Sequence, residues 1–112
     1  MPPEVRTEHR YPEALDFLRR HGADALVILD DLVAHAERRG SQLVVQASVR
    51  EIAGRLSFLS KDTVHRRMRQ LLRAQVIGAV STKAASPFDR PTYVLDLTDT
   101  GVSVVGARPR SA

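Results

Sequence analysis

The chain has 112 residues, 43% hydrophobic but only 4% aromatic, with a net charge of +4 and no cysteine. That length gives one domain with a modest core of Leu, Val, Ile and Ala, and the lack of cysteine excludes disulfides, a thiol nucleophile and a cysteine zinc site. No apolar run reaches the roughly 20 residues that cross a bilayer, and the start, MPPEVRTEHRYPE, has no apolar signal core, so a soluble cytoplasmic protein with no membrane partner is expected.

Residues 1–11 are polar, with Pro2 and Pro3, and are expected to be a flexible arm before a single domain over 12–105. A first helix is predicted from Pro12 to His21, with Leu15 and Leu18 as its apolar edge and Gly22 as its stop. Asp24 is then read as the N-cap of a second helix, ALVILDDLVAHAERR, closed by Arg38, Arg39 and Gly40. Leu26, Ile28, Leu29, Leu32, Val33 and Ala36 make this helix apolar over more than half its girth. QLVVQA is a short β-branched run that predicts a strand. In SVREIAGRLS, Ser48 and Glu51 have the spacing of a capping box, and Ile52, Ala53 and Leu56 supply a core edge. SFLS breaks this third helix.

Ser60 opens SKDTVHRRMRQLLRAQVI. At about 100° per residue, Val64, Met68, Leu71 and Leu72 share one face, and Asp62, Arg66, Arg69 and Arg73 share the other, with Thr63 and His65 on the flanks. Between Ser60 and Arg73 five basic residues stand against one acid, a surplus of four that equals the net charge of the whole chain. Such an excess favours an acidic partner. After Ile77, GAVSTK and PTYVLDL alternate as two strands of a β-hairpin joined by AASPFDR. TDTGVSVV gives a short helix or strand to about Val105, and 106–112 is expected to be a disordered tail.

The order helix, helix, strand, helix, turn, basic helix, hairpin resembles the winged helix-turn-helix DNA-binding domains of bacterial regulators of the GntR and MarR kind. SVREIAGRL looks like the first motif helix. Ser60, Thr63, Val64, Arg66, Met68 and Leu71 fit the pattern of the recognition helix. AQVI stands where the family usually has AGLI, PTYVL resembles the returning wing strand, and LTDTG, Leu97 to Gly101, resembles the segment that follows the wing in MarR-like proteins. The resemblance covers about Asp24 to Gly101. It departs from the family in three places. SFLS is one residue longer than the usual turn and lacks its glycine, Gln75 replaces the glycine before the wing, and the GxG wing tip is absent.

The fold this implies is mainly α with a small β-hairpin, a winged helix-turn-helix. The function it implies is sequence-specific binding of double-stranded DNA, with the recognition helix, 60–74, in the major groove and the wing, 78–97, on flanking DNA. Lys61, Asp62, Thr63, His65, Arg66 and Arg69 are the base-contact candidates, with Asp62 also placed to orient Arg66 one turn later. Ser48, Arg50, Ser60, Lys83 and Arg90 are the phosphate and wing candidates. Arg67, near the edge of the core face, is expected in an intramolecular ion pair, and Arg73 at the solvated end.

The apolar girth of the second helix is either covered within the chain or part of a homodimer interface, and the resemblance favours a dimer spanning two half-sites. His9, His21, His35 and His65 lack metal-ligand spacing, so no metal or cofactor is expected. Asp30–Asp31 is read as a solvated edge rather than a catalytic pair. No nucleophile triad or phosphate loop is visible, and no enzyme is expected. Two alternatives stay open beside a transcriptional regulator. One is a plasmid partition, replication or phage-type DNA-binding protein. The other is a winged helix used as a protein-interaction module with a protein partner.

Overall fold

The computed structural model describes residues 6–80 and 90–105. Along them run β1 (Arg6–His9), α1 (Glu13–His21), α2 (Ala23–Ala34), β2 (Glu37–Arg39), β3 (Gln42–Gln46), α3 (Val49–Leu56), α4 (Lys61–Arg73), β4 (Ile77–Ala79), β5 (Thr92–Leu95) and β6 (Val102–Val105). The result is an α+β domain. Four helices pack with a four-stranded antiparallel sheet of order β2-β3-β5-β4 and a two-stranded β1-β6 ladder. The predicted helices, the strand at QLVVQA (β3) and the β4–β5 pairing are present, 102–105 takes the strand alternative as β6, and β1 and β2 are strands that the sequence reading did not expect.

Core burial explains the arrangement. Ala25, Ile28, Leu29, Leu32 and Val33 of α2 are fully buried, and they share one cluster with Phe17, Val45, Ile52, Val64, Met68, Leu71, Ile77 and Val102. Helix α2 is therefore the central element, packed by α1, α4, β1, β3 and β6. Most of its apolar girth is covered within the chain, and Leu26, Val27 and Ala34 stay partly exposed.

Four features differ from the sequence reading. Residues 6–9, expected within a flexible arm, form β1. Arg6 lies opposite Val105 and His9 opposite Val102, and the His9 Nε2–H donates to Asp30 of α2 at 3.0 Å. Helix α1 turns Ala14 and Phe17, not Leu15 and Leu18, fully into the core. Its Phe17 ring packs against the His21 ring, tilted by 47° with centroids 4.7 Å apart. Gly22, not Asp24, is the N-cap of α2, and Asp24 sits in the first turn, where its charge meets the positive helix end.

The fourth change is the end of α2. The His35 and Ala36 amides bond back to Leu32 and Val33, closing the last turn tightly. Arg38 and Arg39 then leave the helix for β2, which gains ladder pairs to β3, and Gly40 at φ 61° turns that hairpin instead of capping a helix. Residues 1–5 of the expected arm, residues 81–89, including Lys83, and residues 106–112, expected as a disordered tail, lie outside the described residues.

Candidate functional site

Helix α4 is set by its two ends. Ser60 is the N-cap, and its Oγ accepts from the Thr63 amide at 3.1 Å. At the other end the Gln75 amide bonds to Leu72 and the Val76 amide to Leu71. This paired closure needs a left-handed residue between helix and strand, and Gln75 takes that position at φ 61°. The glycine missing from the sequence motif is thus missing from a turn that still has the glycine-favouring conformation.

Between these ends Val64, Met68 and Leu71 are buried, which holds the helix by one face. Lys61, Asp62, His65, Arg66, Arg69 and Arg73 are exposed on the rest of it, and Thr63 is half-buried. His65, Arg66, Arg67, Arg69, Gln70 and Arg73 line a shallow cleft along this surface. Among the described residues no carboxylate lies within ion-pair distance of any basic residue of α4. Arg39, Arg55 and Arg90, by contrast, are each paired with an acid.

Two side chains of α4 differ from expectation. Arg66 Nη2 donates to Thr63 Oγ1 at 3.4 Å, and no Asp62–Arg66 pair is formed. Arg67 finds a neutral partner rather than an acid, donating to Gln70 Oε1 at 3.1 Å. The Gln70 amide in turn donates to His21 Nδ1 at 3.0 Å and to the His21 carbonyl at 3.3 Å. This chain of bonds ties α4 to the end of α1. Burial, and then the neighbouring Arg20 charge, hold the His21 pKa below its usual value, which suits an imidazole that accepts a hydrogen bond.

Helix α3 precedes α4 in the chain and packs against it. Its capping box is complete: the Ser48 amide donates to Glu51 Oε1 and the Glu51 amide to Ser48 Oγ, both at 3.1 Å. Ser48 is therefore half-buried and engaged, while Arg50 is exposed. Arg90 does not extend freely from the hairpin. Its Nε donates to Glu51 Oε1 at 2.7 Å and its Nη2 to the Gln46 carbonyl at 3.1 Å. Burial acts to raise the Glu51 pKa, but the Arg90 and Ser48 hydrogen bonds outweigh it and hold the carboxyl below its usual value.

Between α3 and α4, Ser57 takes φ 51°. Leu59 packs on the core, and Phe58 stands 67% exposed. The structure thus brings Lys61, Asp62, Thr63, His65, Arg66 and Arg69 onto one helix surface. Ser48 and Arg90 meet instead at the capping box of α3.

Sequence reasoning missed the acids Asp30 and Asp31. Neither is a solvated edge. Asp30 holds His9, and Asp31 is 8% exposed in a pair with Arg55 of α3. Burial raises the Asp30 pKa, with His9 opposing. Their local signal was two adjacent acids on a largely apolar helix. No group of three or more potential metal ligands is assembled among the described residues, and none of their helices is long and apolar enough to cross a membrane. Comparison with family models, curated proteins and solved structures found no match to the chain.

Proposed function

We propose that this chain is a sequence-specific double-stranded DNA-binding protein of the winged helix-turn-helix kind, a small cytoplasmic bacterial transcriptional regulator acting as a homodimer. The observation that carries the reading is the two-sidedness of α4. One face is locked in the core through Val64, Met68 and Leu71, and the other presents basic residues with no acid paired to them among the described residues. An ion-paired surface would be spent within the molecule. This one is available to an external polyanion.

In this reading α4 lies in the major groove, where each base pair shows a distinct set of donors and acceptors. Lys61, Asp62, Thr63, His65, Arg66 and Arg69 face base edges. Arg66 and Arg69 suit guanine or phosphate because the guanidinium donates in a fork. Arg50 and the start of α3 face the backbone, and the β4–β5 hairpin is the wing. Two copies would occupy half-sites about one helical turn apart. The function is occupancy of DNA, with no chemistry on a substrate.

The test is fluorescence anisotropy with two duplexes, the gene's own upstream DNA and a scrambled sequence, titrated at several salt concentrations. Tight binding to the first with weak, steeply salt-dependent binding to the second is expected, and the salt slope counts the phosphates contacted. No binding to either duplex at low salt would sink the proposal and leave α4 as a docking surface for an acidic protein.

A further inference from the structure

Arg90 stands at the entry to β5, where the hairpin returns to the body of the domain. Its two hydrogen bonds end on two different segments. Nε reaches Glu51 Oε1 in the first turn of α3, and Nη2 reaches the Gln46 carbonyl at the end of β3. One residue on, the Pro91 carbonyl accepts from the Ala47 amide at 3.1 Å. The same Glu51 oxygen also takes the Ser48 amide. One guanidinium and one carboxylate therefore join the hairpin base, the end of β3 and the start of α3.

We propose that Arg90 is a positioning residue, which acts through Glu51 and the Gln46 carbonyl to fix where the β4–β5 hairpin stands relative to α3 and α4. It does not touch DNA itself. The functional half of this inference rests on the DNA-binding reading above, and the structural half does not. The pairing geometry explains why arginine stands here. A fork of donors can hold a carboxylate and a carbonyl at once, whereas the single ammonium of lysine cannot bridge them in the same geometry.

The partner allows a discriminating test. Glu51→Gln keeps the side-chain acceptor for the Ser48 amide, because glutamine also completes a capping box, but it removes the charge that holds Arg90. We would compare Arg90→Gln, Arg90→Lys, Glu51→Gln and the Arg90→Gln/Glu51→Gln double variant. Each would be titrated against a duplex selected by the wild type from a randomised pool, and against a scrambled duplex. The ratio of the two affinities cancels the general effect of changing net charge. Hydrogen exchange at the Ala47 amide reports the hairpin base directly.

Each single variant is expected to lower the affinity ratio by roughly 3- to 10-fold, and the double variant by no more than the worse single, since coupled residues are not additive. Lysine should not rescue, and Ala47 exchange should quicken in all four variants. The proposal is overturned if Glu51→Gln leaves or raises the ratio while Arg90→Gln lowers it and makes the salt slope shallower by about one phosphate. That pattern is the signature of an Arg90 that grips DNA. Unchanged Ala47 protection would overturn it as well. If the wild type selects no duplex, the DNA-binding reading fails, and Ala47 exchange alone decides the positioning role.

Discussion

Arg55 of α3 holds Asp31 of α2 through two nitrogens, Nη2 to Oδ2 at 2.7 Å and Nε to both carboxylate oxygens at 3.1 Å. The carboxylate is 8% exposed and the guanidinium 28%. The pair is therefore unequal in what each partner loses when left alone. Arg55→Ala strands a nearly buried charge and is expected to cost about 2–4 kcal/mol. Asp31→Asn frees a guanidinium that already reaches water and should cost less, about 1–2 kcal/mol. Urea unfolding of both variants checks the order, and equal losses would contradict it.

Gln75 carries a left-handed backbone at φ 61° in the closure after α4. Gln75→Gly should stabilise the fold by about 0.5–1 kcal/mol, because glycine removes the side-chain penalty there and gives part of it back as unfolded-state entropy. A higher melting temperature is the expected result. A lower one would mean that the glutamine side chain makes a compensating contact.

Gly101, at φ 73°, faces the opposite constraint. A Cβ there would fall 2.2 Å from the Ala14 backbone nitrogen at the start of α1. The Arg10 amide also bonds to the Gly101 carbonyl at 2.7 Å, so neither segment can retreat freely. Gly101→Ala should cost about 3 kcal/mol or more from backbone strain and overpacking together. A variant that melts with the wild type would refute the close approach.

His21 sets a pH dependence. Burial and Arg20 lower its folded pKa below 6.5, so protonation favours the unfolded chain. The contribution is fully present above 6.5 and is lost as pH falls through the folded value. An NMR titration of the imidazole should show a midpoint below 6.5. Stability should fall on acidification through that midpoint, less so in His21→Gln. A midpoint at or above 6.5 would rule out a neutral acceptor for Gln70.

Arg66 and Arg69 are exposed and make no ion pair among the described residues. Arg66→Ala with Arg69→Ala should leave stability within about 0.5 kcal/mol. On the proposed DNA-binding function, the double variant should weaken specific DNA binding by roughly 10- to 100-fold or more. Anisotropy and thermal melting of the same sample separate the two effects. Unchanged affinity in a wild type that binds would remove α4 as the reading element.

Local features were legible in the sequence and distant ones were not. The Ser48–Glu51 box, the Ser60 cap, the buried face of α4 and the unusual turn at Gln75 all depend on neighbours within five residues, which spacing reveals. The Glu51 and Gln46 partners of Arg90, the Arg55 partner of Asp31 and the Asp30 partner of His9 lie 21 to 44 residues away, and no periodicity encodes them. The end of α2 was misread for a related reason. Arg38, Arg39 and Gly40 are good helix-closing residues, but strand pairing with β3 outweighs that local preference.

The β1-β6 ladder sets residues 6–9 against residues 102–105. Contacts so distant along the chain form slowly, because the intervening polymer must first be brought together. During synthesis β1 leaves the ribosome early and waits for β6, while α2 also lacks the cover those strands supply. A chain cut short before Val102 would keep α4 and its basic face but leave β1 as an unpaired edge, a product prone to association. The ladder thus makes the finished domain depend on translation through Val105, and products truncated before Val102 are expected to pellet as aggregates where the full chain stays in solution.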